Sequence, residues 1–179
     1  KVVGENMQRR MKAMIPCGDK EIIVDLFGYT TKGIPGLEII GMGKNSRQLK
    51  EKLIFLSRQQ PEGLPLSRFV LCLDENLNTA QLKENQLRWL EIPFLILFWS
   101  LARLVPLENL ENCYSSGTIG VSGIMTLRSP ALENIPPVRS IYIGHHSQAI
   151  PHDWLHISLD EIFLNRPGFY IDNFFANSS

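Results

Sequence analysis

Apolar residues recur along this chain in two rhythms. In Glu21-Ile-Ile-Val-Asp-Leu-Phe27 they crowd into a β-branched run, closed by turn chemistry at Gly28 and Gly33, which predicts a strand. Leu37-Glu-Ile-Ile40 predicts a second strand. Arg68-Phe-Val-Leu-Cys-Leu73 predicts a third, after the breakers Pro61, Gly63 and Pro65. Between these, Leu49, Leu53 and Leu56 recur at spacings of four and three, with Lys44, Arg47 and Arg58 opposite. That spacing predicts an amphipathic helix over Lys44–Gln59. Ile92 to Ala102 is apolar nearly all round and bracketed by Glu91 and Arg103, with Pro93 in a first turn that tolerates it. It predicts a helix buried in the core.

Asp74 to Arg88 is polar and without a period. Strand character returns at Thr118–Ser122 and Ile124–Leu127, on either side of a turn at Gly123. After a loop marked by Pro130, Pro136 and Pro137, Ser140–Ile143 and His156–Ser158 read as strands and Leu159–Asn165 as a short helix. Residues 1–11 read as an N-terminal extension, 12–166 as one domain, and 167–179 as an aromatic tail with Phe169, Tyr170, Phe174 and Phe175. The mixture of strands and helices makes the class α/β or α+β.

Composition narrows the picture further. A length of 179 residues suits one domain, and 44% apolar with 20% charged residues argues against intrinsic disorder. Eighteen basic residues balance eighteen acidic ones, so the whole-chain field gives no pull toward nucleic acid or an anionic membrane. Cys17, Cys72 and Cys113 are odd in number and form no CxxC pair, which suits a reducing compartment; the expected location is cytoplasmic. No apolar run approaches the roughly 18 residues that a membrane span needs. Lys1 to Lys12, mixed polar and basic, does not itself read as a secretory signal.

Several local motifs invite chemistry. Gly41-Met-Gly-Lys-Asn-Ser46 resembles part of a phosphate loop, but Glu38 stands where the first glycine belongs and Asn45 follows the lysine. It reads instead as a strand-to-helix turn with Asn45 or Ser46 as N-cap. His145, His146, His152 and His156 form the one histidine cluster, and His152 with His156 would share a face as zinc ligands only on a helix, which Pro151 disfavours. In Gly120-Val-Ser-Gly123 the second glycine comes one residue too early for a nucleophile elbow around Ser122. The helix over Lys44–Arg58 gathers five cations, Lys44, Arg47, Lys50, Lys52 and Arg58, against Glu51. Such a set can contact phosphates, although a solvated face is the commoner use. Ile54 and Phe55 fall toward its basic side.

The order of these motifs resembles the N-terminal domain of magnesium-chelatase-like ComM/YifB proteins. Gly33-Ile-Pro-Gly-Leu-Glu-Ile-Ile-Gly-Met-Gly43 is similar to that family's G-L-P-A-F-N-I-V-G-L-P segment, and Arg68–Leu73 stands where it has R-I-T-V-N-L. Lys83-Glu-Asn85 resembles K-E-G, Leu90–Leu97 resembles F-D-L-P-I-A-L-G, and Ile119–Arg128 resembles E-L-A-L-S-G-E-L-R with one residue of slippage. The matches run in order from about Lys12 to Asn165. The resemblance implies the ribosomal-protein-like β/α fold shared with the proteolytic domain of Lon protease, with a mixed sheet packed by two main helices. In the family this domain precedes an AAA+ ATPase module, and this chain carries no Walker motif. Lon-like enzymes use a Ser–Lys pair. At the matching positions Lys83–Arg88 offers Gln86 and Leu87 without a hydroxyl, Ser129–Pro137 has no lysine, and no lysine follows Lys83 at all. The family's small core-helix residues are replaced by Phe94, Leu95, Phe98 and Trp99, and the segment from Pro130 to Arg139 is short.

The expectation is therefore a non-catalytic binding or scaffold domain, an accessory or self-associating part of an AAA+ or DNA-processing assembly. Its expected surface is Lys44, Arg47, Lys50, Ile54, Phe55 and Arg58, with Phe169, Tyr170, Phe174 and Phe175 as a second contact. A degenerate hydrolase using Ser122 or the histidines, and a nucleic-acid module using the basic helix, are the alternatives. No cofactor, no metal, no membrane and no small-molecule substrate are expected.

Overall fold

A long antiparallel hairpin organises the protein. Strand β1 (Gln8–Cys17) pairs residue for residue with β2 (Lys20–Thr31), from Gln8 opposite Tyr29 to Cys17 opposite Lys20. The computed structural model describes residues 6–74, 79–120, 122–135, 139–145, 148, 150–163 and 166–176, with only the backbone at residue 80 and residues 172–176. The elements that follow are β3 (Gly36–Ile40), α1 (Asn45–Arg58), β4 (Arg68–Leu73), α2 (Glu84–Leu87) and α3 (Glu91–Leu101). Then come β5 (Cys113–Ser115), β6 (Gly117–Ile119), β7 (Ile124–Arg128), β8 (Ile141–Gly144), β9 (Leu155–Ser158), α4 (Leu159–Phe163) and β10 (Tyr170–Ala176). Seven strands form one mixed sheet in the order β3-β4-β2-β1-β5-β8-β9, and β10-β7-β6 form a small second sheet. The fold is a mixed α/β arrangement of the α+β kind.

Helix α3 lies against β1, β2 and β4 on one side and against β6 on another. Trp99 also meets Phe163 of α4 and Phe169 at ring-centroid distances of 5.3 and 5.2 Å. With sheet beneath and aromatic rings above, every residue of the helix is buried, as its unbroken apolar sequence predicts. Phe69 of β4 meets Phe98 edge-on at 5.0 Å, so the bulky residues of α3 fill space inside the molecule. A second core on the opposite face of β1 gathers Met14, Tyr114, Leu132, Ile135, Tyr142 and Trp154.

Four local expectations differ from the structure. Gly28 does not end its strand; β2 continues to Thr31, and a Cβ on Gly28 would lie 2.8 Å from both the Leu101 and Leu71 side chains. Its glycine serves close packing, not a turn. Strand β1 starts inside the segment read as an extension, because Met11, Ala13 and Ile15 face the main core while Met14 faces the second one. Strand β5 was not anticipated, and β10 lies inside the segment read as a tail, running parallel to β7 with Tyr170 opposite Ile124. Helix α1 is entered through Lys44 with no side-chain cap, so neither Asn45 nor Ser46 plays that part. Residues 75–78, Val121, Pro136, Pro137 and Asn165 lie outside the described residues.

Candidate binding surface

The three leucines of α1 do what their spacing requires: Leu49, Leu53 and Leu56 are essentially inaccessible. The opposite face holds Lys44, Arg47, Glu51 and Arg58 in solvent, with Lys50 half-buried on its flank. Phe55 stands among them at 60% exposure, while Ile54 packs its side chain against the core. Lys44 lies 3.8 Å from Glu84 in an exposed pair, a contact of at most about 1 kcal/mol. Arg47, Lys50 and Arg58 make no ion pair among the described residues. The surface is thus basic with one large apolar side chain at its edge.

Lys52 does not belong to it. Its Nζ is buried, donating to Glu91 Oε2 at 3.0 Å and to the Ile119 carbonyl at 2.5 Å. Glu91 Oε1 in turn accepts the Ile119 N–H at 2.9 Å and faces Arg88 at 3.5 Å. This cluster ties α1, α3 and β6 together. The sequence carried its signal: Lys52 stands three residues after Leu49 and four before Leu56, on the leucine face. A second buried pair, Arg128 with Glu21, joins the small sheet to the large one; Arg128 also reaches Ser116 Oγ at 3.1 Å.

The C-terminal segment comes against the same helix. Gln60, just past α1, donates to the Pro167 carbonyl at 2.9 Å. Gly123 meets Gly168 so closely that a Cβ there would sit 1.7 Å from the Gly168 oxygen. Phe169 is docked in its own domain on Trp99, whereas Tyr170 is 66% exposed beside its register partner Ile124, itself 40% exposed. Of the four expected tail residues, then, Phe169 is core and Tyr170 is surface. The side chains of Phe174 and Phe175 lie outside the described residues.

The chemistry candidates are placed apart. Ser122 occupies the exposed turn between β6 and β7, and among the described residues no histidine or lysine hydrogen-bonds to it. Gln86 is occupied structurally, capping α2 through the Lys83 N–H at 2.9 Å and reaching the Pro16 carbonyl at 3.4 Å. His145 is buried 3.9 Å from Asp160, His152 is exposed, and His156 sits on β9 stacked over Tyr142 with Nε2 3.2 Å from the Gly144 carbonyl oxygen. His146 lies outside the described residues. Among those described, no three His, Cys, Asp or Glu side chains gather as a metal site. Burial pushes the Cys113 thiol up to about 11, and burial followed by the Glu38 charge raises that of Cys72, so neither supplies a thiolate at neutral pH. No described helix is long and apolar enough to cross a membrane.

No protein-family model matches the chain, and a search of curated proteins finds no match.

Proposed function

We propose that this chain is a non-catalytic binding domain of the Lon/ComM N-terminal type, acting as an accessory part of an AAA+ or DNA-processing assembly. Its contact surface is the outer face of α1, and its partner there is an acidic protein segment. The observation that carries this reading is Phe55, 60% exposed on a face that also holds Lys44, Arg47, Glu51 and Arg58, on a helix whose other face is committed to the core. An apolar anchor at the edge of a basic face, with Arg58 one turn on and Glu51 one turn back, suits a partner that sets carboxylates beside one hydrophobic side chain. The missing hydroxyl at Gln86 and Leu87, and the lack of a lysine in Ser129–Pro137, support binding over Lon-type catalysis.

The test is an affinity capture from lysate, nuclease-treated and untreated, with the wild-type chain and with Arg47→Glu/Arg58→Glu and Phe55→Ala. An AAA+ protein retained in both halves by wild type, and lost with either variant, is the expected result. Retention that both variants share with wild type would move the interface elsewhere. Partners that disappear with nuclease would make α1 a nucleic-acid surface instead, with affinity falling steeply with salt.

A further inference from the structure

A cleft lined by no residue of α1 remains, between the start of β1 and the C-terminal end of α3. It has a cavity volume of about 580 Å³ and is lined by Met7, Arg9, Ser100, Arg103, the apolar run 104–106 and Glu108. We propose that this cleft binds a small molecule carrying a carboxylate or phosphate group.

Two guanidinium groups converge there. Nη2 of Arg9 lies 4.0 Å and Nη2 of Arg103 3.6 Å from the Met7 sulfur, which brings two side chains distant in sequence to one atom. Arg9 is held in position: its Nε donates to Ser100 Oγ at 3.3 Å and its Nη1 to the Gln8 carbonyl at 2.9 Å. The Ser100 hydroxyl is itself fixed by donating to the Leu107 carbonyl. Neither arginine makes an ion pair among the described residues, and Glu108 lines the cleft without reaching either. An anion within reach of both uses the planar donor forks for which arginine suits carboxylates and phosphates.

The carbonyl end of α3 accounts for only part of this charge. A helix C-terminus presents about half an elementary negative charge and Glu108 adds its carboxylate to the same cleft, so the two guanidiniums leave a small positive excess there. Arg103 also adopts a left-handed backbone, with φ of 58°, just past the helix end. Glycine is the residue that takes this position without strain, so an arginine here keeps its side chain at the cleft against the local backbone preference. Leu104 and Val105 are buried at the floor of the cleft, so the groups that a ligand meets are chiefly the polar ones of its rim.

The test is a calorimetric titration of the 179-residue chain with inorganic phosphate and, separately, with malonate, at an ionic strength held constant with potassium chloride. Arg9→Gln and Arg103→Gly are titrated alongside. Saturable binding of at least one anion, weakened tenfold or more by each substitution, is expected. Preference for phosphate would assign a phosphorylated ligand, and preference for malonate a carboxylate. No saturable binding, or equal affinity in wild type and both variants, would overturn the proposal. Arg103→Gly relieves the left-handed backbone and is expected to melt no lower than wild type, so it decides the matter even if Arg9→Gln folds poorly. The α1 variants leave this cleft intact, so its failure and failure of the binding surface are separate results.

Discussion

Helices α1 and α3 meet the rest of the molecule in opposite ways. Every residue of α3 from Glu91 to Leu101 is covered, by the large sheet below and by β6, Phe163 and Phe169 around it. Helix α1 commits one face to the core and leaves Lys44, Arg47, Glu51, Phe55 and Arg58 in water. The difference lies in what each sequence can tolerate: α3 has no position free to meet a partner, whereas α1 has a row of them. The two are tied by Lys52 with Glu91 and by Trp99 with Ser57, so the inert helix fixes the orientation of the exposed one.

The largest break in this comparison comes from the buried ion pair. Lys52→Ala leaves the Glu91 carboxylate without its main partner in a dry site and is expected to cost about 3–5 kcal/mol in urea unfolding. The double variant Lys52→Met/Glu91→Leu is expected to recover part of this. It does not recover all, because the Ile119 N–H and carbonyl then lose partners, at about 1–3 kcal/mol for a buried orphan. Next is Ser57→Ala. The Trp99 N–H donates to Ser57 Oγ at 2.9 Å, and leaving it unpaired should cost about 1–3 kcal/mol, read as a lower denaturation midpoint with unchanged slope.

Phe55→Ala sharpens the contrast from the exposed side. Its effect on unfolding is expected to stay within about 0.5 kcal/mol, while partner capture is lost. The smallest effect is electrostatic. Glu62, beyond the end of α1, has its carboxyl held below the ordinary range by a backbone hydrogen bond and, after a small opposing effect of desolvation, by Arg166 at 2.8 Å. A carboxyl depressed in the folded state adds stability above its unfolded pKa and loses it as pH falls through the folded value. Glu62→Gln should therefore lower the melting temperature slightly at neutral pH, leave it nearly unchanged below the folded pKa, and so flatten slightly the acid side of a plot of melting temperature against pH.

The elements with a clean period were legible before any coordinates. Leu49, Leu53 and Leu56 placed α1, the unbroken apolar run placed α3, and short β-branched runs placed β3 and β4. Strand β1 was not legible, since Arg9, Arg10 and Lys12 interrupt its apolar residues and its core faces both sides of the sheet. Lys12 becomes intelligible only beside Asp25, its register partner at 2.5 Å. Strand β10 exists by pairing with β7, a long-range partnership no local pattern encodes. At the candidate surface, Phe55 and the cations were readable from the helical wheel. Lys52 shows that a charge does not always seek water: its spacing places it with the leucines, and there it is buried. Arg9 and Arg103 could not be linked, because only the hairpin and the end of α3 bring them to one sulfur.

The place of β1 in the large sheet has a consequence for the timing of synthesis. One side of β1 is satisfied at once by the adjoining β2, but the other pairs with Lys12 opposite Tyr114 and Ala13 opposite Ser115. About a hundred residues must emerge between the two, which at ribosomal rates of about 5–20 residues per second takes roughly 5–20 s. During that interval a bare hydrogen-bonding edge travels with the nascent chain. The charges of Arg9, Arg10 and Lys12 along that strand are then its protection against pairing with another chain.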